Sequence, residues 1–114
     1  MAKALKDFVS QARGRIREID PDTAEEMIEE RDDVMILDVR EPDEFAMGHV
    51  PGAVNVPRGM LEAAADPDYK KPHPELCQAH QRPILLYCKT GGRSAMATAT
   101  LADMGFEEVY NIAG

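Results

Sequence analysis

The chain has no tryptophan, only three tyrosines and three phenylalanines, and just two cysteines in 114 residues. Two cysteines do not make a disulfide framework, and a chain of this length can bury a single apolar core without staples. A reducing, cytoplasmic setting is expected. No apolar run approaches the roughly 18 residues of a membrane span. The opening stretch, "MAKALKDFVSQARGRIREI", lacks both a continuous apolar core and a small-residue cleavage site, so no secretory leader and no membrane partner are expected. Positive charge is scarce as well: 13 basic residues face 21 acidic ones, a net charge of −8. Nucleic-acid binding relies on clustered cations that neutralise phosphates, so no nucleic-acid partner is expected. There is no internal repeat and no low-complexity tract.

What is present is ordinary globular composition, 44% apolar and 30% charged. "GRIREI" is a short candidate strand. Asp20 then stands as an N-cap with Pro21 at the first helical position, and Ala24, Met27 and Ile28 recur at helical spacing. "VMILDV" (34–39) is a continuous apolar run, the pattern of a strand covered on both faces. "PDEFAM" opens on Pro42 as a short helix that Gly48 can close in the left-handed conformation. "GAVNV" follows the Pro51-Gly52 turn as another short strand.

Residues 58–82 read as a long surface excursion, with a helix at "RGMLEAAA" and a further short one around "PELCQAH". "PILLYC" is a second buried strand. In "GGRSAMATATLADMG", Ala97, Leu101 and Met104 mark a helix that Gly105 stops. "EVYNI" is the last strand. Strands alternating with helices imply an α/β fold with a mostly parallel central sheet and helices on both faces.

Against the acidic background one basic stretch stands out. "YCKTGGRS" carries Lys89 and Arg93 around two glycines, and no acid lies between Tyr87 and Thr100. Cys88 ends the "ILLY" strand and precedes the long helix, where ligand sites of open α/β sheets lie. Gly91 and Gly92 can take positive φ and turn their N–H groups inward, forming an anion-binding nest to which the helix N-terminus adds. A thiol there is expected well below the free value of about 8.5, and so to be a nucleophile at neutral pH. Buried cysteines are commonly small hydrophobes, but the strand, the glycines, the basic flanks and the helix start coincide at Cys88. Cys77 has none of these features and reads as structural.

Two stretches, "LDVREPDEFAMGHVPGAVNVP" and "LLYCKTGGRSAMATATLADMGFEEVYNIAG", resemble the rhodanese-like domain of single-domain sulfurtransferases. The resemblance runs from about Ile19 to the C-terminus, so residues 1–18 are expected to be an extension and 19–114 the domain. It implies a three-layer fold and a thiosulfate sulfurtransferase activity: Cys88 takes a sulfane sulfur from a small anionic donor such as thiosulfate, becomes a persulfide, and passes the sulfur to a thiol, cyanide or a protein acceptor. Backbone N–H groups of Lys89, Thr90, Gly91, Gly92, Arg93 and Ser94 would hold the outer sulfur. No metal and no organic cofactor are implied. Where the family continues past "NIAG" into a final helix this chain stops at Gly114, so the expectation is either a truncated end or another chain over the exposed sheet face, with self-association into a homo-oligomer.

Several side chains keep two readings. Lys89 and Arg93 attract the donor or point to solvent. Asp38 and Arg40 close a strand as a structural pair, or Arg40 binds the donor's sulfonate; Arg58 is a second candidate for that role. His49 reads as a structural hydrogen-bonder. Dual-specificity phosphatases place five residues between cysteine and arginine, whereas four separate Cys88 from Arg93, a smaller cradle suited to sulfur. A persulfide carrier or a regulatory binding module with little small-molecule turnover is the alternative to an enzyme.

Overall fold

The computed structural model describes residues 2–113, and how the chain ends at Gly114 lies outside them. The elements are α1 (Leu5–Arg13), β1 (Arg17–Ile19), α2 (Pro21–Glu30), β2 (Met35–Asp38), α3 (Pro42–Ala46), β3 (Val54–Asn55), α4 (Leu61–Ala65), β4 (Ile84–Tyr87), α5 (Gly92–Asp103) and β5 (Val109–Ile112). The five strands form one parallel sheet in the order β1-β5-β4-β2-β3. β4 is therefore central, and its carboxyl end is the middle of the sheet's functional edge.

Side-chain alternation sorts the two faces. Met35, Leu37, Ile84, Leu86 and Val109 enter the main core with Leu61, Ala97, Leu101 and Phe106, which places α4 and α5 on that side. Ile36 and Ile112 point the other way, toward Ala24 and Ile28 of α2. Because both faces are covered, β2 and β4 read as unbroken apolar runs rather than alternating ones.

Local chemistry sets the element ends. The Asp20 carboxylate accepts the Thr23 N–H at 2.7 Å, with Pro21 in the first helical turn. Gly105, at φ +89°, ends α5 and turns Phe106 back so that its N–H reaches the Leu101 carbonyl at 3.0 Å. At α3 the stop comes one residue earlier than expected. Met47 closes it in right-handed geometry, and Gly48 follows at φ +149°.

The 58–82 excursion keeps little regular structure beyond α4. The helix expected at residues 58–65 is realised as a 3₁₀ turn, Arg58–Met60, that runs into α4, and the short one expected around Cys77 as a 3₁₀ turn at Leu76–Gln78. Prolines at 67, 72 and 74 deny backbone donors to any longer helix. Within residues 1–18, α1 lies against α5, where Ala12 packs with Ala95 and Ala99. The boundary expected at residue 19 falls inside β1, whose Arg17 and Glu18 already pair with β5. Among the described residues no helix is long and apolar enough to cross a membrane, and no group of three His, Cys, Asp or Glu stands ready to hold a metal.

Candidate active site

The loop between β4 and α5 is built around the Cys88 sulfur. Gly91 takes φ +90° and caps α5. That conformation turns its N–H onto Cys88 Sγ at 3.1 Å. One turn further, Ser94 donates its main-chain N–H at 3.4 Å and its hydroxyl at 3.3 Å to the same atom. The Ser94 N–H lies in the first helical turn and has no partner within the helix, so the sulfur takes up an otherwise orphaned donor.

Half-burial of Cys88 pushes its pKa up by desolvation, but donors from Ser94, Gly91 and Thr90 outweigh that and hold the thiol below its ordinary value. These contacts favour the thiolate form of Cys88 more than that of an ordinary cysteine. Cys77, by contrast, is buried behind the 3₁₀ turn, its sulfur 3.9 Å from the Pro74 carbonyl. It takes no part in this site.

The loop is propped from beneath. Asn111 of β5 is fully buried and donates its amide to the Gly91 carbonyl at 3.3 Å and to the Glu18 carboxylate at 2.8 Å. Glu18 pairs in turn with Arg13 of α1 at 3.5 Å. Arg13 also crowds Gly91 from outside: a Cβ added there would stand 3.0 Å from its guanidinium. Its φ is what requires glycine at position 91, since the guanidinium tip of Arg13, 43% exposed, can swing aside.

The basic side chains are placed unevenly. Lys89 and Thr90 are exposed. Arg93 is not free to meet a donor, because Glu44 of α3 grips its guanidinium at 2.7 and 3.1 Å. The same pairing, with the Glu41 N–H, holds the Glu44 carboxyl down to about 2. Arg40 is committed to Asp38, which it contacts through Nε at 3.1 Å and Nη2 at 2.7 Å, and to the Gly48 carbonyl at 2.7 Å. It therefore takes the structural of its two readings. Desolvation raises the fully buried Asp38, yet its Arg40 hydrogen bonds prevail and keep it below the usual carboxylate range. Arg58 bonds Glu62 at 3.0 Å and Thr100 at 3.1 Å in a groove between α1 and α5, whereas Cys88 faces a different cavity. The excursion leads Arg58 onto the α5 side of the sheet, so it does not join the cysteine loop.

His49 stacks flat on Phe45 at 3.6 Å and bonds the Phe45 carbonyl at 2.8 Å, a structural position. The residues that sequence reasoning missed are Glu44, Asn111, Glu18 and Arg13. All come from elements remote in sequence, and Glu18 acts on the loop through Asn111 and Arg13.

Cys88 is one of the residues that line a cavity of about 410 Å³. Its wall combines Cys88 and Tyr87 with Ala24, Ile28, Ile36 and Ile112.

A thiol that accepts from two loop N–H groups and a hydroxyl at the carboxyl end of the central strand of a parallel α/β sheet fits a rhodanese-like domain. The Rhodanese-like domain family matches residues 20–114, and the chain belongs to that family. Thiosulfate sulfurtransferase 16, chloroplastic, of Arabidopsis thaliana is 40% identical over 84 residues, covering 68% of this chain and 67% of that protein. A Bacillus subtilis protein named as a sulfur carrier, YrkF, is 32% identical over 103 residues, 90% of this chain; the chain spans half of that relative's length, 50%. The solved structure of RPA3614 from Rhodopseudomonas palustris aligns with a TM-score of 0.89 and 31% identity over 100% of this chain and 86% of that one. That protein is described as of unknown function, with tyrosine phosphatase as the suggested activity. The curated relatives support sulfur transfer as the general chemistry of this chain.

Proposed function

We propose that the protein is a sulfurtransferase that carries a sulfane sulfur as a persulfide on Cys88. The observation that carries this reading is the convergence of Gly91 N–H, Ser94 N–H and Ser94 Oγ on one sulfur, at 3.1 to 3.4 Å. In the first half-reaction the thiolate attacks the outer sulfur of a donor. With thiosulfate the S–S bond breaks, its electron pair leaves with sulfite, and Cys88–S–S⁻ remains. In the second, an acceptor such as cyanide or a thiol attacks the outer sulfur and releases the Cys88 thiolate. A donor ring that favours the thiolate also favours the persulfide anion, in the manner of an oxyanion hole.

A phosphatase is the rival chemistry. The loop places four residues between Cys88 and Arg93. Arg93 is also bound by Glu44, leaving no open fork to grip phosphate oxygens. Both features favour sulfur over a phosphoryl group. The likeness to a protein named as a sulfur carrier favours, as second reading, a persulfide carrier with little small-molecule turnover.

The test is intact mass after incubation with a sulfur donor and desalting without reductant, with Cys88→Ser in parallel. Gain of one sulfur atom by the parent alone supports the reading, and cyanide turnover then separates enzyme from carrier. Hydrolysis of a phosphate ester without sulfur gain would overturn it.

A further inference from the structure

The arginines that were candidates for binding a sulfonate, Arg40, Arg58 and Arg93, are all engaged. Arg40 is held by Asp38 and Gly48. Arg58 lies in the other groove. Arg93 and Glu44 form a bidentate pair with side chains 35% and 30% exposed, so a dianion approaching the guanidinium meets a carboxylate as well. Lys89 remains, but it is an exposed point charge in high dielectric, worth little for binding.

The space beside Cys88 is of the opposite character. Ala24, Ile28, Ile36, Val50 and Ile112 line it, and the charged residue among its walls is the acid Glu25. A doubly charged oxyanion placed there loses hydration without a cation in return. A short hydrocarbon chain gains by the same transfer.

We propose that the preferred sulfur donor is an organic hydropersulfide, R–S–S–H, whose apolar R group lies in the 410 Å³ cavity, and that Glu44 sets this choice by withdrawing Arg93 from anion binding. The proposal rests on the sulfurtransferase reading and narrows its donor. The Cys88 thiolate attacks the outer sulfur, the donor S–S bond breaks, and its electron pair leaves with the inner sulfur as R–S⁻. The product Cys88–S–S–H gives its proton to water, and the loop N–H groups hold the anion.

The experiment compares persulfide formation on Cys88 from butyl hydropersulfide and from thiosulfate, read by mass as second-order rate constants, in the parent and two variants. In the parent the hydropersulfide constant is expected to be about tenfold the larger. Glu44→Gln releases Arg93, and the ratio of the thiosulfate constant to the hydropersulfide constant should rise about three- to tenfold. Ile28→Gln, at a cavity wall residue 38% exposed, should lower the hydropersulfide constant about threefold and spare thiosulfate.

Equal or faster reaction with thiosulfate in the parent overturns the proposal and leaves the sulfurtransferase reading standing. So does a donor ratio that Glu44→Gln fails to shift. Should that variant not fold, an unchanged hydropersulfide constant in Ile28→Gln overturns the proposal instead. No sulfur gain from either donor overturns both readings together.

Discussion

Ser94 touches the Cys88 sulfur twice, through its main-chain N–H at 3.4 Å and its hydroxyl at 3.3 Å. The first contact belongs to the helix and survives substitution, while the second belongs to the side chain. Ser94→Ala should therefore raise the thiol pKa without dismantling the loop. A hydrogen bond to a charged group contributes about 1.5–3 kcal/mol, so alkylation by iodoacetamide at neutral pH should slow by roughly tenfold. A pH profile of alkylation unchanged from the parent would show that the backbone donors alone set the thiolate.

Gly91→Ala tests the other side of the ring. Its φ of +90° is unfavourable for alanine by about 1–2 kcal/mol, and the added Cβ would stand 3.0 Å from Arg13 Nη2. Thermal unfolding should show a loss of about 2 kcal/mol, and persulfide formation should fall further than stability does, because the misplaced N–H no longer reaches Sγ. Parent-like sulfur loading in this variant would remove Gly91 from the donor ring.

The Glu44–Arg93 pair makes a pH prediction whose sign is fixed by its direction. The folded-state pKa of Glu44 is depressed from 4.5 to about 2, so the pair stabilises the fold above about 4.5 and that contribution disappears as pH falls toward 2. Melting temperature followed from pH 6 to 2 should fall less steeply in Glu44→Gln than in the parent. Parallel curves would mean that the pair contributes nothing to folding.

Leu101→Ala should be the costliest of these changes. Leu101 is wholly buried on α5 against the sheet, within the cluster that includes Leu86 and Phe106. Truncations of this kind cost about 2–5 kcal/mol. Denaturant unfolding is expected to show that loss with an unchanged slope, and a loss under 1 kcal/mol would indicate a core that collapses around the gap.

Much of this architecture was legible because its signals are local. Asp20 followed by Pro21, the apolar runs 34–39 and 83–88, and the glycines beside Cys88 each specify a turn, strand or cap from neighbouring residues. The partners of those residues were not. Arg93 and Glu44 stand 49 positions apart, and Arg13 meets Gly91 only because α1 docks on α5. Charge patterning along the chain showed Arg93 beside no acid and so left it free, whereas chain crossover brings α3 to it. Arg58 was misplaced for a related reason: a proline-punctuated excursion gives no periodicity from which the direction of a side chain can be read. Asn111 looked like one more strand residue, and only its full burial marks it as a support.

The donors around Cys88 exist only when α5 and the Gly91 turn are folded. A group that ionises more readily in the native state than in the unfolded chain adds stability as pH rises between its two pKa values, and the lowered Cys88 thiol is such a group. The loop therefore ties chemical readiness to conformational order. Anything that caps the sulfur with a neutral substituent removes an anion from those N–H groups and loosens the start of α5. The melting temperature of the domain becomes a gauge of what the cysteine carries: higher with an anionic sulfur at the loop, lower with an alkylated one.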